Sequence, residues 1–226
     1  MSNPPPITHR SAHPDESPIR FDLLHGKLPR WLQRFLPTGG GIAHDHHGKG
    51  LFGFTVFLLS ESFVFVSFFT AYLALRLTTP NWLPAGVTGL DVTKPAINTV
   101  VLVSSSFVIY AAERALKRRN LKAFRWLWLT TSAMGLYFLV GQAIEWSQLP
   151  FHLTTGLFGA TFYVLTGFHG LHVLVGILLQ LLMLGRSFKP GNYDRGFFGV
   201  STTALFWHFV DVIWLVLFSL LYLWQP

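Results

Sequence analysis

The chain has 226 residues, of which 51% are hydrophobic and only 12% are charged, and its mean hydropathy is +0.44. This balance excludes an ordinary soluble core and indicates a protein with several membrane spans. The chain contains no cysteine, which excludes disulfides, thiolate metal sites and iron–sulfur clusters, and its formal net charge is +7.

Residues 1–48 form a polar N-terminal extension, which we expect to be partly disordered because it carries many prolines and charges. It lacks the apolar stretch of a secretory signal peptide. Within it, residues 21–37 predict a short amphipathic helix on the membrane surface. The sequence HDHH at 44–47 offers imidazole and carboxylate ligands to zinc, although a solvated segment beside the membrane is the better interpretation.

Residues 49–226 predict an all-α membrane bundle with five transmembrane helices. A bilayer core of about 30 Å needs about 20 apolar residues. Apolar segments suited to this length lie at 51–77, 96–112, 126–144, 156–184 and 197–224. Prolines 80, 84, 95, 150 and 190 fall between these segments, so we expect each helix to be continuous.

Lysine and arginine are unevenly distributed between the two ends of this predicted bundle. They concentrate in the N-terminal extension and in the connections at 113–125 and 185–196, whereas the opposite end has only Arg76 and Lys94. The positive-inside rule therefore predicts a cytoplasmic N-terminus and an external C-terminus. The sequence KRRNLK at 117–122 is accordingly read as a topology signal rather than a nucleic-acid site.

Glu61 is the most informative polar residue of the first span. It lies about eleven residues into the segment, which places it about 15 Å deep. Inserting a carboxylate at that depth costs roughly 2.5 kcal/mol or more, so the group must face protein or water, carry a proton or have a partner. We interpret it as a buried functional carboxylate. The alternative is a neutral side chain satisfied by the hydroxyl of Ser60 or Ser62.

The third and fourth spans carry further polar side chains. Gln142 and Glu145 end the third span, where Glu145 is either solvated at the interface or used for packing. His169 and His172 are three residues apart in the fourth span and are expected to share a helix face. Hydrogen bonding between helices is the preferred role for these histidines.

The last span carries WHFVDVIW, in which His208 and Asp211 share a face and either satisfy each other or reach another helix. The hydroxyl residues of the second span, Thr99 and 104–106, are explained by packing with hydroxyls bonded back to their own helix. Only three histidines lie within spans, and their spacing does not favour a metal or haem site.

Together these motifs resemble subunit III of the haem-copper respiratory oxidases, and most closely the cytochrome c oxidase subunit III family. The resemblance covers residues 47–224, and its elements occur in family order. They are GLFGFTVFLLSESFVF, NTVVLVSSS, LYFLVGQAIEW, TFYVLTGFHGLHVLVG and WHFVDVIWLVLFSLLYLW.

The resemblance implies a helical bundle docked against subunit I, which holds the haems and copper that reduce oxygen, with subunit II and membrane lipids as further partners. It implies no catalytic residue, metal or redox centre in this chain, bound phospholipid, and a role in maintaining proton uptake. It also implies a bacterial plasma membrane or an equivalent energy-transducing internal membrane. Glu61 matches the family's buried carboxylate, and the residues assigned to contacts between helices or subunits are Glu145, His169, His172, Trp207, His208 and Asp211.

The chain departs from the longer members of this family, which have seven spans. A polar extension stands in place of the first two, and the connection at 187–199 lacks the usual histidine-rich stretch. Subunit III of a quinol oxidase is the nearest alternative, although such relatives tend to carry Asp at the position of Glu61. A homologue associated with nitric oxide reductase and a small proton-coupled transporter are further alternatives. A transporter is expected to show internal repeats and broken helices, which this sequence lacks.

Overall fold

The computed structural model describes residues 46–84, 87, 89–189, 191, 193 and 196–224. Within these residues there is no strand, and five helices are each long and apolar enough to cross a membrane. The prediction of an all-α chain with five spans is therefore confirmed. The helices are α1 (His46–Thr78), α2 (Thr93–Lys117), α3 (Leu121–Gln148), α4 (Gly156–Arg186) and α5 (Phe198–Phe218).

The chain divides between Gly53 and Phe54 into two units. Of the first unit, only the opening turns of α1 are described. The surface helix predicted at 21–37, and His44 and Asp45 of the HDHH sequence, lie outside the described residues, as do the side chains of His46 and His47. All contacts reported below belong to the second unit.

Most helices extend beyond the apolar segments that predicted them. Helix α2 begins at Thr93 and ends at Lys117, and α3 begins at Leu121, because polar residues at a membrane surface can continue a helix. Pro95 therefore lies inside the first turn of α2, not between spans as predicted. A first-turn residue has no intrahelical acceptor for its N–H, so proline costs no hydrogen bond there.

The last helix is not a continuous α-helix as predicted. Residues Ser219–Leu223 form a π-helical turn, in which the Trp224 N–H donates to the Ser219 carbonyl at 2.9 Å. In the same turn, the Leu220 carbonyl accepts a hydrogen bond of 3.1 Å from the Tyr72 hydroxyl of α1. The π-turn thus provides a polar attachment for α1.

Trp207 of α5 joins four helices. Its indole nitrogen donates to the Ser105 hydroxyl of α2 at 2.8 Å. Its ring occupies a slot opposite Gly135 of α3 and Gly176 of α4, where an added Cβ would lie 2.5 Å and 2.8 Å from the indole. Because helices in lipid associate through close packing and hydrogen bonds, this side chain is central to the bundle.

Other indoles make comparable bonds between helices. The Trp214 nitrogen donates to the Thr99 hydroxyl at 2.9 Å, which ties α5 to α2 a second time. The Trp128 nitrogen donates to the Gln180 carbonyl at 2.8 Å, and the Ser132 hydroxyl donates to the Gln180 side chain at 2.7 Å. The buried indoles of Trp128, Trp207 and Trp214 therefore each have an acceptor, whereas the buried nitrogens of Trp82 and Trp146 have none among the described residues.

Helix α1 is the least enclosed span. Only 11% of its apolar window is buried within the chain, against 56% for α5. Its contacts are mainly aromatic: Phe65 and Phe68 both lie 5.1 Å from the ring of Phe168 in α4, and Phe65 also reaches Phe209 of α5. Most of the α1 surface is left for lipid or another protein.

We call the end of the bundle that carries the α2–α3 and α4–α5 connections the basic end. There the Arg125 guanidinium donates to the hydroxyl and carbonyl of Ser187 and lies 4.4 Å from the Phe188 ring. The other end carries the α1–α2 and α3–α4 connections. The placement of the basic end in the cytoplasm stays a prediction.

Substituting Gly135 with alanine is expected to lower the free energy of unfolding by about 1–3 kcal/mol, because the new methyl group meets the rigid, buried ring of Trp207. Gly185→Ala is the matched control, since a Cβ there meets nothing within 4 Å. Thermal unfolding of the purified protein in mild detergent compares the two. Equal stability of the two variants would contradict the claim that the Trp207 ring requires glycine at position 135.

Candidate functional site

Glu61 of α1 and His172 of α4 form a polar pair near the middle of their helices. The carboxyl Oε2 lies 3.3 Å from the imidazole Nε2. Glu61 comes eleven residues after the start of its apolar window at Gly50, and His172 comes 14 residues before α4 ends at Arg186. Helix α1 runs away from the basic end and α4 runs towards it, so the two residues lie at a similar depth. The intramembrane carboxyl therefore has a partner on another helix.

The contact of the second ring nitrogen of His172 indicates which nitrogen of the imidazole carries a hydrogen. Nδ1 lies 2.8 Å from the Phe168 carbonyl, which can only accept, so Nδ1 carries a hydrogen. The Nε2–Oε2 bond then needs one further proton, either on the carboxyl with a neutral imidazole or on the imidazole with a carboxylate. In both arrangements the pair is neutral overall and shares one transferable proton.

Aromatic rings surround the imidazole. Phe168 lies 4.7 Å and Phe65 5.0 Å from the His172 ring centre, and Phe206 stacks at 6.2 Å. The pair nevertheless remains reachable, because 24% of the Glu61 side chain is exposed at the surface of the chain. This combination of an apolar surround and one open side suits a group that exchanges a proton with a neighbouring molecule.

The sequence did not indicate the partner that the structure gives Glu61. The Ser62 hydroxyl, offered as one satisfying group, instead donates to the Leu58 carbonyl of its own helix at 2.8 Å. His169 and His172 share α4 but contact different neighbours. His172 meets α1, whereas His169 lies between Phe138 and Trp214 at ring distances of 5.7 Å and 4.9 Å.

His169 is buried, and neither of its ring nitrogens has a hydrogen-bond partner among the described residues. Its edge-to-face contact with Phe138 and its close approach to Trp214 make it a packing residue of the α3–α4–α5 interior. The predicted hydrogen bond from His169 to another helix is not formed with any described residue, and its role in docking stays a prediction.

Ser106 of α2 connects His208 and Asp211 of α5. Its hydroxyl lies 2.9 Å from His208 Nδ1 and donates a hydrogen bond to Asp211 Oδ2. The two α5 residues therefore meet across a serine rather than each other directly. A hydrolytic triad places histidine between serine and aspartate, whereas serine is central here, so this cluster has no activated nucleophile. It links two helices.

Replacing Ser106 with alanine is expected to cost about 1–3 kcal/mol of unfolding free energy, because Asp211 Oδ2 loses its donor while Oδ1 already has none among the described residues. Ser67→Ala is the control, since Ser67 is exposed and bonds only back to the Phe63 carbonyl. Denaturation in mixed detergent micelles reports both values. A loss of unfolding free energy in Ser106→Ala no larger than that in Ser67→Ala would contradict the claim that Ser106 links α2 to α5.

Glu145 is buried at the end opposite the basic end, not solvated. Its Oε2 accepts from the Gln142 amide at 3.1 Å, and the Tyr222 hydroxyl lies against the same carboxyl. A cavity of about 230 Å³ opens beside it and is bordered by Lys94 and Asp91. Asp91 accepts from the Thr93 backbone at 2.9 Å, and this bond lowers the pKa of its carboxyl.

The hydrogen bonds that join Ser105 and Ser106 of α2 to helix α5 could not be predicted from the sequence, because no periodic pattern of residues marks them. Ser105 and Ser106 were expected to bond back to their own helix. Ser105 does so and also accepts from Trp207 of α5, whereas Ser106 binds His208 and Asp211 of α5 instead. Adjacent serines on a span rich in small residues are the signal that was available. In the part of the chain that the structure describes, no three His, Asp or Glu side chains are grouped as metal ligands.

Five spans and a protonatable pair between two of them define a polytopic membrane protein with polar contacts inside its helix bundle. The family model for cytochrome c oxidase subunit III matches residues 38–226. The chain belongs to the cytochrome c oxidase subunit III family, and it is a subunit of an oxygen-reducing terminal oxidase complex.

Individual relatives agree with the family match. Cytochrome c oxidase subunit 3 of Synechocystis sp. (strain ATCC 27184 / PCC 6803 / Kazusa) is 47% identical over 187 residues, which cover 81% of this chain and 80% of the relative. The Thermostichus vulcanus protein of that name is 47% identical over 183 residues, which cover 80% of this chain and 90% of the relative. The Rattus norvegicus protein is 36% identical over 195 residues, which cover 81% of this chain and 75% of the relative. The quinol-oxidase and transporter alternatives are not favoured.

Proposed function

We propose that this chain docks beside subunit I of the oxidase, with subunit II in the same complex, and that the Glu61–His172 pair supports proton uptake into subunit I. The membrane is a bacterial plasma membrane or an equivalent energy-transducing internal membrane. The basic end faces the cytoplasm, as the positive-inside rule predicts. The pair then lies about midway between the two aqueous phases.

The observation that carries this proposal is the 3.3 Å contact of Glu61, on the least enclosed helix, with His172 of α4. An ionisable side chain at this depth is expensive, and its usual reason is function. The Nδ1 bond to the Phe168 carbonyl orients the imidazole so that Nε2 faces the carboxyl. A purely structural link between α1 and α4 needs no titratable group, since an amide or hydroxyl would serve.

Haem and copper belong, in this proposal, to the partner subunits. The three histidines of the described spans face separate neighbours: His169 contacts Trp214, His172 contacts Glu61 and His208 contacts Ser106. They do not converge as ligands of one metal. This chain therefore contributes packing and protonatable groups, while the redox chemistry takes place next to it.

Isolation in mild detergent tests the assembly. A tag on this chain is expected to recover haem-bearing partners that consume oxygen with reduced cytochrome c as donor. Recovery of the chain without haem would contradict docking to subunit I. Oxygen consumption supported by a quinol alone would instead contradict the cytochrome c donor.

A further inference from the structure

An open apolar groove of about 490 Å³ runs between α2 and α3 on the outer surface of the bundle. It extends along α3 from Trp126 past Ala133 to Tyr137, with Val101 of α2 on its other side. Tyr137 follows Trp126 by eleven positions, a rise of about 16 Å, which is half of a bilayer core of about 30 Å. The groove therefore has the length of one leaflet and begins near the basic end.

Two cations, which are not lining residues of the groove, come shortly before Trp126 in the chain, at the basic end of the bundle. Lys122 precedes Trp126 by four residues and so lies on the same face of α3. Arg118 follows directly after the end of α2, and both cations are exposed. Glu113, the nearest acidic residue, already pairs with Lys117 at 3.2 Å, and no acidic residue occurs from 114 to 144.

Trp126 lines the groove at the end nearest the basic end, and 72% of it is exposed. Tryptophan favours this level of a membrane, where its ring meets both headgroups and acyl chains. The positive-inside rule accounts for the number of cations in this connection. The rule does not require a cation such as Lys122 to lie on the same face of α3 as the residues that line the groove.

We propose that the α2–α3 groove binds one acyl chain of an anionic phospholipid whose phosphate contacts Lys122 and Arg118. The length of the groove matches a single leaflet, and the two cations before Trp126 select the headgroup charge. Each cation near a membrane surface favours an anionic lipid by about fivefold. The site is separate from the Glu61–His172 pair, which lies between α1 and α4.

Brominated lipids test this proposal, because bromine on an acyl chain quenches a tryptophan that it touches. The purified complex is placed in bilayers of phosphatidylcholine and phosphatidylglycerol, with bromine on one lipid at a time and equal mole fractions. The difference between the native protein and Trp126→Phe isolates the Trp126 signal. With two cations at the phosphate, we expect brominated phosphatidylglycerol to quench Trp126 about 25-fold more effectively than brominated phosphatidylcholine.

Two variants separate the headgroup from the groove. Lys122→Gln combined with Arg118→Gln is expected to remove the preference while leaving quenching by both lipids. Ala133→Phe fills the groove and is expected to reduce quenching by both, whereas Ala143→Phe, an exposed alanine of α3 outside the groove, leaves it unchanged. Equal quenching of the native protein by both lipids would overturn the proposal. Quenching by neither would also overturn it, since another protein would then cover the groove.

Discussion

Replacing Trp207 with alanine is expected to lower the free energy of unfolding by about 3–5 kcal/mol, the range for removing a fully buried large aromatic side chain. The indole is inaccessible to solvent, occupies the slot against Gly135 and Gly176, and donates to Ser105. Its removal leaves a cavity at the meeting point of α2, α3, α4 and α5, together with a lost hydrogen bond. Thermal unfolding of the complex in mild detergent measures the effect.

Trp126→Ala is the matched control for this experiment. It removes the same side chain from the same bundle, but its exposed position means that no internal cavity forms. We expect a change within about 0.5 kcal/mol, as for other surface substitutions. Comparable losses for the two variants would show that the slot around Trp207 does not determine stability.

The Glu61→Gln complex is expected to assemble normally but to lose its oxygen-reducing activity during turnover about tenfold faster than the native complex. Glutamine keeps the shape of the side chain, and its amide N–H donates to His172 Nε2 in place of the carboxyl. The link between α1 and α4 therefore survives, whereas the shared proton is gone. Repeated additions of donor under steady oxygen supply measure the decay.

Two further variants distinguish proton exchange from a structural link. Glu61→Ala removes both the proton and the hydrogen bond, and Glu113→Gln makes the same chemical change at a carboxyl that binds Ser201 and Lys117 at the basic end. We expect Glu61→Ala to decay as fast as Glu61→Gln, and Glu113→Gln to behave as the native complex. Native decay in Glu61→Gln with fast decay in Glu61→Ala would assign the pair to packing alone.

The spans were predictable because hydropathy and length are properties of each segment by itself. The bilayer requires about 20 apolar residues whatever the neighbouring helix, so all five spans could be located from composition. The special position of Glu61 was also predictable, since an ionisable side chain at mid-depth is costly in any fold. The helix ends were less accurate, because interfacial residues such as Thr93 and Lys117 continue a helix without being apolar.

The partners of the polar residues could not be predicted, because they depend on how each helix is rotated against its neighbours. His169 and His172 lie three residues apart, yet one faces Trp214 and the other Glu61. Their positions differ by about 60° around α4, and the aromatic packing of Phe65 and Phe168 decides which of them meets α1. Spacing along one helix indicates a shared side but not the neighbour on that side.

The π-turn of Ser219–Leu223 illustrates a second limit. Nothing in SLLYL interrupts an α-helix, since the segment has neither proline nor glycine. The turn coincides with the hydrogen bond from Tyr72 to the Leu220 carbonyl, a contact between residues 148 positions apart in the chain. Tertiary contacts of this kind are absent from any local pattern.

Proton uptake from the medium during a single turnover tests the role of the Glu61–His172 pair most directly. A pH-indicating dye outside the reconstituted complex follows the protons taken up after oxygen is mixed with the reduced enzyme. We expect uptake in the Glu61→Gln complex to be about tenfold slower than in the native and Glu113→Gln complexes, with unchanged haem content. Uptake at the native rate in Glu61→Gln would contradict the proposal that this pair supports the proton supply of the oxidase.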